Sequence, residues 1–143
     1  MIAFIGGSTA NLYGARLAYQ NCKEVVVFER KTSLRNDQIR KLPRELLERC
    51  GYPNETYVRL TDLKEHLAKH LDVVFSAECK VENGMLIVNG KAFPTEAIIM
   101  NTGQRELEIE GVYTYNYATE KQYAGASLEE AFDKVEKIID EIV

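Results

Sequence analysis

The sequence predicts an α/β domain, a central parallel β-sheet flanked by helices with a three-stranded antiparallel β-meander attached. Three observations predict it. The runs Ile2-Ala3-Phe4-Ile5, Val25-Val26-Val27-Phe28 and Ala97-Ile98-Ile99-Met100 are apolar at every position, as strands buried on both faces are. The first two are separated by a glycine break and a helix-length segment, the spacing of one β-α-β unit. Two Asn-Gly pairs, Asn83-Gly84 and Asn89-Gly90, stand between short alternating segments, and Asn-Gly is the strongest short-range hairpin signal.

After the break at Gly6-Gly7-Ser8-Thr9, the apolar positions Leu12, Ala15, Leu17 and Ala18 predict a helix that Asn21-Cys22-Lys23 ends. The stretch from Lys31 to Arg49 predicts a second helix, with Ile39, Leu42, Leu46 and Leu47 on one face, Pro43 opening its regular part and Cys50-Gly51 stopping it. Tyr57 to Leu60 predicts a short strand, Thr61 a cap for a helix with Leu63, Leu67 and Leu71 inward, and Val73 to Phe75 a further strand. Segments 79–82, 85–88 and 91–93 form the meander, and Gly111 to Tyr115 a last strand. The closing helix is expected to start at a Ser127-x-x-Glu130 capping box and to bury Leu128, Ala131, Phe132, Val135, Ile138, Ile139 and Ile142.

The 143 residues make one domain, 1–143, whose size suffices for a core without staples. A net charge of −4 argues against a nucleic-acid partner, which needs a broad basic face. No apolar run is long enough to cross a bilayer, and the opening residues lack the basic start of a secretory signal, so no membrane partner and a cytoplasmic location are expected. Cys22, Cys50 and Cys79 are far apart and form no C-x-x-C pair, which suggests plain thiols rather than a zinc site or a disulfide framework.

A strand, a glycine turn, a helix and a second strand ending in an acid form the layout of a dinucleotide site. The turn lets backbone approach a pyrophosphate, the helix N-terminus offers free N–H groups to its charge, and the acid accepts ribose hydroxyls. Gly6, Gly7, Ser8 and Thr9 make the turn here, Ala10 and Asn11 open the helix, and Glu29 is the acid. The full G-x-G-x-x-G pattern would put glycines at positions 6, 8 and 11, where this chain has Gly6, Ser8 and Asn11. Ser8 is expected to lie close to phosphate and to offer its hydroxyl, while Asn11 places a side chain where helix and strand pack tightly. On these residues alone, FAD, NAD or another adenine nucleotide fits the unit.

Ile5-Gly6-Gly7-Ser8-Thr9-Ala10-Asn11-Leu12 resembles the first fingerprint of the thioredoxin reductase-like flavoproteins, the pyridine nucleotide-disulfide oxidoreductases. Val25 to Arg30 is similar to their ribose-binding strand, Ala97 to Gly103 to their "ATG" strand end, and Gly111 to Ala118 to the last strand, where the family carries "GVYAAGD". The likeness runs nearly the whole chain and leaves no residues for the inserted NAD(P)H domain between Gly103 and Gly111. It implies a Rossmann-like FAD/NAD(P)-binding fold with FAD as cofactor. Gly6 to Asn11 would hold the pyrophosphate, Glu29 and Arg30 the adenosine ribose, Cys79 the adenine edge through its backbone, and Thr102-Gly103 the middle of the cofactor. Asn116 and Tyr117 replace the family's Gly-Asp at the ribityl end, and the start of the last helix near Ala126 to Leu128 would point its positive end at the flavin. The implied function is an FAD-binding oxidoreductase-like module that exchanges electrons with a redox partner protein. The alternative is a degenerate, non-catalytic relative that acts in dimerisation or protein interaction. Apolar surface where the missing domain would have packed predicts a homo-oligomer.

Other features read as structural. His66 and His70 are four apart on a helix beside Lys64 and Lys69, a solvated face with too few ligands for a metal. Tyr113 and Tyr115 alternate along a strand, as core or contact residues do, and Tyr117 and Tyr123 follow them. Arg35-Asn36-Asp37 and Arg40-Lys41 fit a phosphate neutraliser and a charged surface helix equally well. The acids of the closing helix, among them Glu129, Asp133 and Asp140, read as its outer face.

Overall fold

A computed structural model describes residues 1–102, 109–115 and 124–143, the side chains of 124–127 excepted. Along the chain lie β1 (Ile2–Ile5), α1 (Thr9–Gln20), β2 (Val25–Phe28), β3 (Ile39–Lys41), α2 (Arg44–Arg49), β4 (Tyr57–Arg59) and α3 (Leu60–Leu67). There follow β5 (Asp72–Val74), β6 (Cys79–Glu82), β7 (Met85–Val88), β8 (Lys91–Phe93), β9 (Ala97–Met100), β10 (Tyr113–Thr114) and α4 (Ala124–Ile142).

Five strands form a parallel sheet in the order β10-β9-β1-β2-β5, so β1, the strand buried at every position, lies at its centre. Ile2 pairs with Val25 on one side and Ala97 on the other. The strand period of two then divides β1 between two layers. Ile2 and Phe4 join the core formed with α1, α3 and α4, whereas Ala3 and Ile5 join Leu86, Val88 and Ile98 under the β6-β7-β8 meander. Both meander turns carry Asn then Gly at positive φ, Asn83 and Gly84 at +51° and +76°, Asn89 and Gly90 at +49° and +82°, as the Asn-Gly pairs predict. Full burial of a Phe or Leu is worth about 1.5–3 kcal/mol, against about 0–1 kcal/mol for an exposed ion pair. The two apolar layers therefore hold the sheet, not the surface charges.

On the helical side α1 meets α4 so closely that a methyl at Gly14 would lie 2.4 Å from Val135 Cγ2. Tyr13 stacks on Phe132 at 4.0 Å between ring centroids. Arg49 of α2 lies over both rings, at 5.4 and 5.5 Å, and pairs with Asp133 (3.0 Å) and Glu136 (3.1 Å). Burial, reinforced by the hydrogen bond to Glu136, pushes the Tyr13 phenol up to about 12.

The structure departs from the sequence reading in four places. The helix expected over 31–49 is confined to Arg44–Arg49, and Ile39 lies in β3, paired to β4 and 67% exposed. Proline has no N–H to give and disfavours helix in the residue before it, so α2 begins only after Pro43. Thr61 lies inside α3, which starts at Leu60, and its hydroxyl binds the backbone of Asn36 instead of capping. α4 starts at Ala124, before the expected Ser127 cap. β10 is only Tyr113–Thr114, with Tyr115 beyond it and buried while Tyr113 is exposed. Among the described residues no helix is long and apolar enough to cross a membrane.

Candidate functional site

β1 and β2 run parallel and end side by side, so the turn after β1 and the acid after β2 meet at the carboxyl edge of the sheet. That edge is where open α/β sheets take their ligands. Gly6 has φ +106°, and a Cβ there would lie 2.0 Å from the carbonyl oxygen of Asn101, so only glycine fits. Gly7 donates its N–H to Glu29 Oε1 at 2.9 Å, and Lys31 donates its own to Oε2 at 2.7 Å. The carboxylate is thus fixed at the turn by two backbone bonds. It lines a cleft of about 760 Å³ together with Gly6, Gly7, Ser8 and Thr9, within the usual range for small-molecule sites.

Ser8 is the N-cap of α1, accepting from the Asn11 N–H at 3.2 Å. Its hydroxyl donates to Asn101 Oδ1 at 3.1 Å, so the free hydroxyl expected to face a phosphate is already engaged. Among the described residues no acceptor takes the backbone N–H of Ser8 or Thr9, and the first turn of α1 carries no acid. The positive end of the helix therefore opens into the cleft. Asn11 is fully buried behind the turn: Nδ2 donates to the carbonyls of Ile5 (3.0 Å) and Gly6 (2.9 Å), and Oδ1 accepts the Tyr115 hydroxyl (2.8 Å). Its side chain braces the turn without filling it.

Of the residues predicted to hold a cofactor, Gly6, Gly7, Ser8, Thr9, Glu29, Arg30, Cys79 and Thr102 line this one cleft. Ala10 and Asn11 are buried behind it. Gly103, Asn116 and Tyr117 lie outside the described residues, as does Tyr123. The cleft also contains groups with no motif to mark them. The segment between β2 and β3 brings Arg35 to its wall, held by the Asn36 to Thr61 bonds, and β3 brings Arg40. Lys64, expected on a solvated face, instead lines the cleft from α3. Asn101, one polar residue just after β9, is not on the cleft wall but supports it, its Oδ1 accepting the Ser8 hydroxyl. It is itself buried, and Nδ2 donates to the Tyr115 carbonyl at 2.8 Å.

The histidines stand elsewhere. His66 Nε2 lies 3.0 Å from the Cys50 carbonyl, with the ring edge-on to Tyr52, and His70 stacks beside Tyr19. Burial pushes the Cys79 thiol up to about 11, with Glu78 and Glu29 adding to it, and burial pushes Cys50 from 9.0 to about 12. Neither thiol is an activated nucleophile at neutral pH. At pH 8 an aromatic disulfide reagent should therefore label exposed Cys22 promptly, with Cys50 and Cys79 reacting only on unfolding, counted by mass spectrometry. The folded state favours the protonated thiols, so their contribution to stability is complete below about pH 9 and is lost as pH rises from 9 toward 12 for Cys50. Rapid labelling of three thiols in the native protein would contradict this.

No family model matches the chain, and no curated protein sequence matches it. Solved structures share its fold. THI4 of Thermovibrio ammonificans superposes with a TM-score of 0.66 at 13% identity, over 98% of this chain and 88% of that one. CtdE in complex with FAD gives 0.56 at 14% identity, over 71% and 38%. The oxygenase of 2-methyl-3-hydroxypyridine-5-carboxylic acid gives 0.56 at 16%, over 68% and 38%. The chain thus spans about two-fifths of the length of the latter two proteins. At identities this low the superpositions establish the fold alone, a Rossmann-like α/β sheet.

Proposed function

We propose that this chain binds FAD and serves as an oxidoreductase-like module of the thioredoxin reductase-like kind, exchanging electrons with a partner protein. The observation that carries the reading is the joint placement of a glycine turn, an open helix N-terminus and a fixed carboxylate around one cleft. The cradle at Gly6 exists only because no Cβ fills it. Glu29 retains lone pairs for the ribose hydroxyls after accepting two backbone N–H groups, and Arg30 stands beside it. In this reading backbone at Cys79 would meet the adenine edge and Thr102 the middle of the cofactor, both being on the cleft wall. The fold shared with FAD-bound CtdE supports the same assignment.

When bound, the flavin supplies the redox chemistry. The chain's own part is to hold the diphosphate at the positive end of α1, to orient the ribose through Glu29 and to keep one edge of the cofactor in the sheet's cleft. The three cysteines are unpaired and two have raised thiols, so disulfide exchange within this chain is not the route for electrons. In this reading the electron partner is a separate protein.

The test is the ligand itself. Protein purified without added cofactor should carry flavin absorbance or, once stripped, bind FAD with quenching of its fluorescence. Glu29→Gln removes one carboxylate acceptor and should weaken FAD about tenfold, the loss expected for a charge-assisted hydrogen bond. Colourless protein that gains no thermal stability from FAD or ADP would refute the reading.

A further inference from the structure

Lys64 lines the cleft from α3 and is half-buried, yet no carboxylate or other acceptor among the described residues contacts its ammonium. The acid whose charge acts on it, Glu29, is committed to the backbone of Gly7 and Lys31. Of the other cations lining the cleft, Arg35 is held by Asp37 (2.8 Å) and Arg40 by Gln38 (3.0 Å), while Arg30 and Lys31 are exposed to water, so Lys64 alone among these five is both withdrawn from water and without a contact among the described residues. An ammonium withdrawn from water without a counter-ion destabilises a fold. Burial accordingly lowers the proton affinity of Lys64, with Lys31 pushing the same way and Glu29 opposing.

A methionine or leucine would suit that position of the empty protein better, so the amine is explained by what enters the cleft. The open N-terminus of α1 carries about half an elementary charge, short of what a diphosphate brings, and no acid in its first turn offsets it. We propose that Lys64 is a ligand-binding residue whose ammonium takes negative charge of the nucleotide's diphosphate, completing from α3 the neutralisation that α1 begins. This rests on the nucleotide reading above and adds a binding residue that no fingerprint marks.

The experiment compares the wild type with Lys64→Met and Lys64→Arg, using ADP, adenosine and inorganic pyrophosphate as probes in calorimetric titrations, with melting of the ligand-free proteins alongside. Lys64→Met should weaken ADP at least tenfold, leave adenosine unchanged and raise the melting temperature of the empty protein. Lys64→Arg should restore most of the ADP affinity. Unchanged ADP affinity in Lys64→Met, or equal weakening of ADP and adenosine, overturns the proposal while leaving the nucleotide reading intact. Wild type that binds pyrophosphate in a Lys64-dependent way but neither adenosine nor ADP upholds the amine's role and overturns the nucleotide reading. Binding of none of the three overturns both.

Discussion

Gly6→Ala should fail to give a stably folded protein, or should lower its unfolding free energy by about 4 kcal/mol or more, at the top of the range for single substitutions. Two effects combine. The added Cβ would sit 2.0 Å from the Asn101 carbonyl oxygen and 2.8 Å from its carbon, both backbone atoms. That backbone cannot retreat, because the Asn101 N–H bonds to the Ile5 carbonyl at 2.9 Å and its side chain to Ser8 and Tyr115. The φ of +106° adds strain for any residue with a side chain. Gly90→Ala isolates the second effect, since its φ is +82° but nothing lies within 4 Å of the new methyl. It should cost only about 1 kcal/mol. Urea unfolding of both variants measures the difference, and similar midpoints would show that the Asn101 contact is relieved without cost.

The same contact explains which parts of the site were legible in the sequence. Gly6 and Glu29 announce themselves because each role demands one residue type at a fixed distance from a strand that is itself obvious. The strands of the parallel sheet are legible for a related reason: four consecutive apolar residues such as Ile2 to Ile5 have few other places to go. Residues 31–49 are different. Ile39, Leu42 and Leu46 have helical spacing, but only Leu42 and Leu46 are buried, and Ile39 is drawn into β3 by pairing with Arg59, twenty positions on. Long-range pairing overrode a local pattern. Lys64 was unreadable for the same cause, since its helix faces a cleft only after the Asn36 to Thr61 bonds fold the intervening segment against α3.

Asn11 shows how a departure from a fingerprint can be structural, and it yields the second large effect. Asn11→Gly restores the glycine that the G-x-G-x-x-G pattern expects, yet it should destabilise the protein by about 3 kcal/mol. The side chain is fully buried, and its loss removes the bonds to the Ile5 and Gly6 carbonyls and from the Tyr115 hydroxyl, with the Ile5 carbonyl keeping only the Asn101 N–H. An orphaned buried polar group costs about 1–3 kcal/mol, and glycine in a helix about 1 kcal/mol more than alanine. Adding Tyr115→Phe to Asn11→Gly should recover part of the loss, because the hydroxyl that donates to Asn11 Oδ1 is then absent. A double variant as unstable as the sum of its parts would place the cost elsewhere in the turn. Asn11 lies behind the cleft rather than in it, so among molecules that remain folded the affinity for ADP should change by less than the stability does. A fall in affinity as large as the fall in stability would mean that the brace behind the glycine turn also sets the turn's shape toward its ligand.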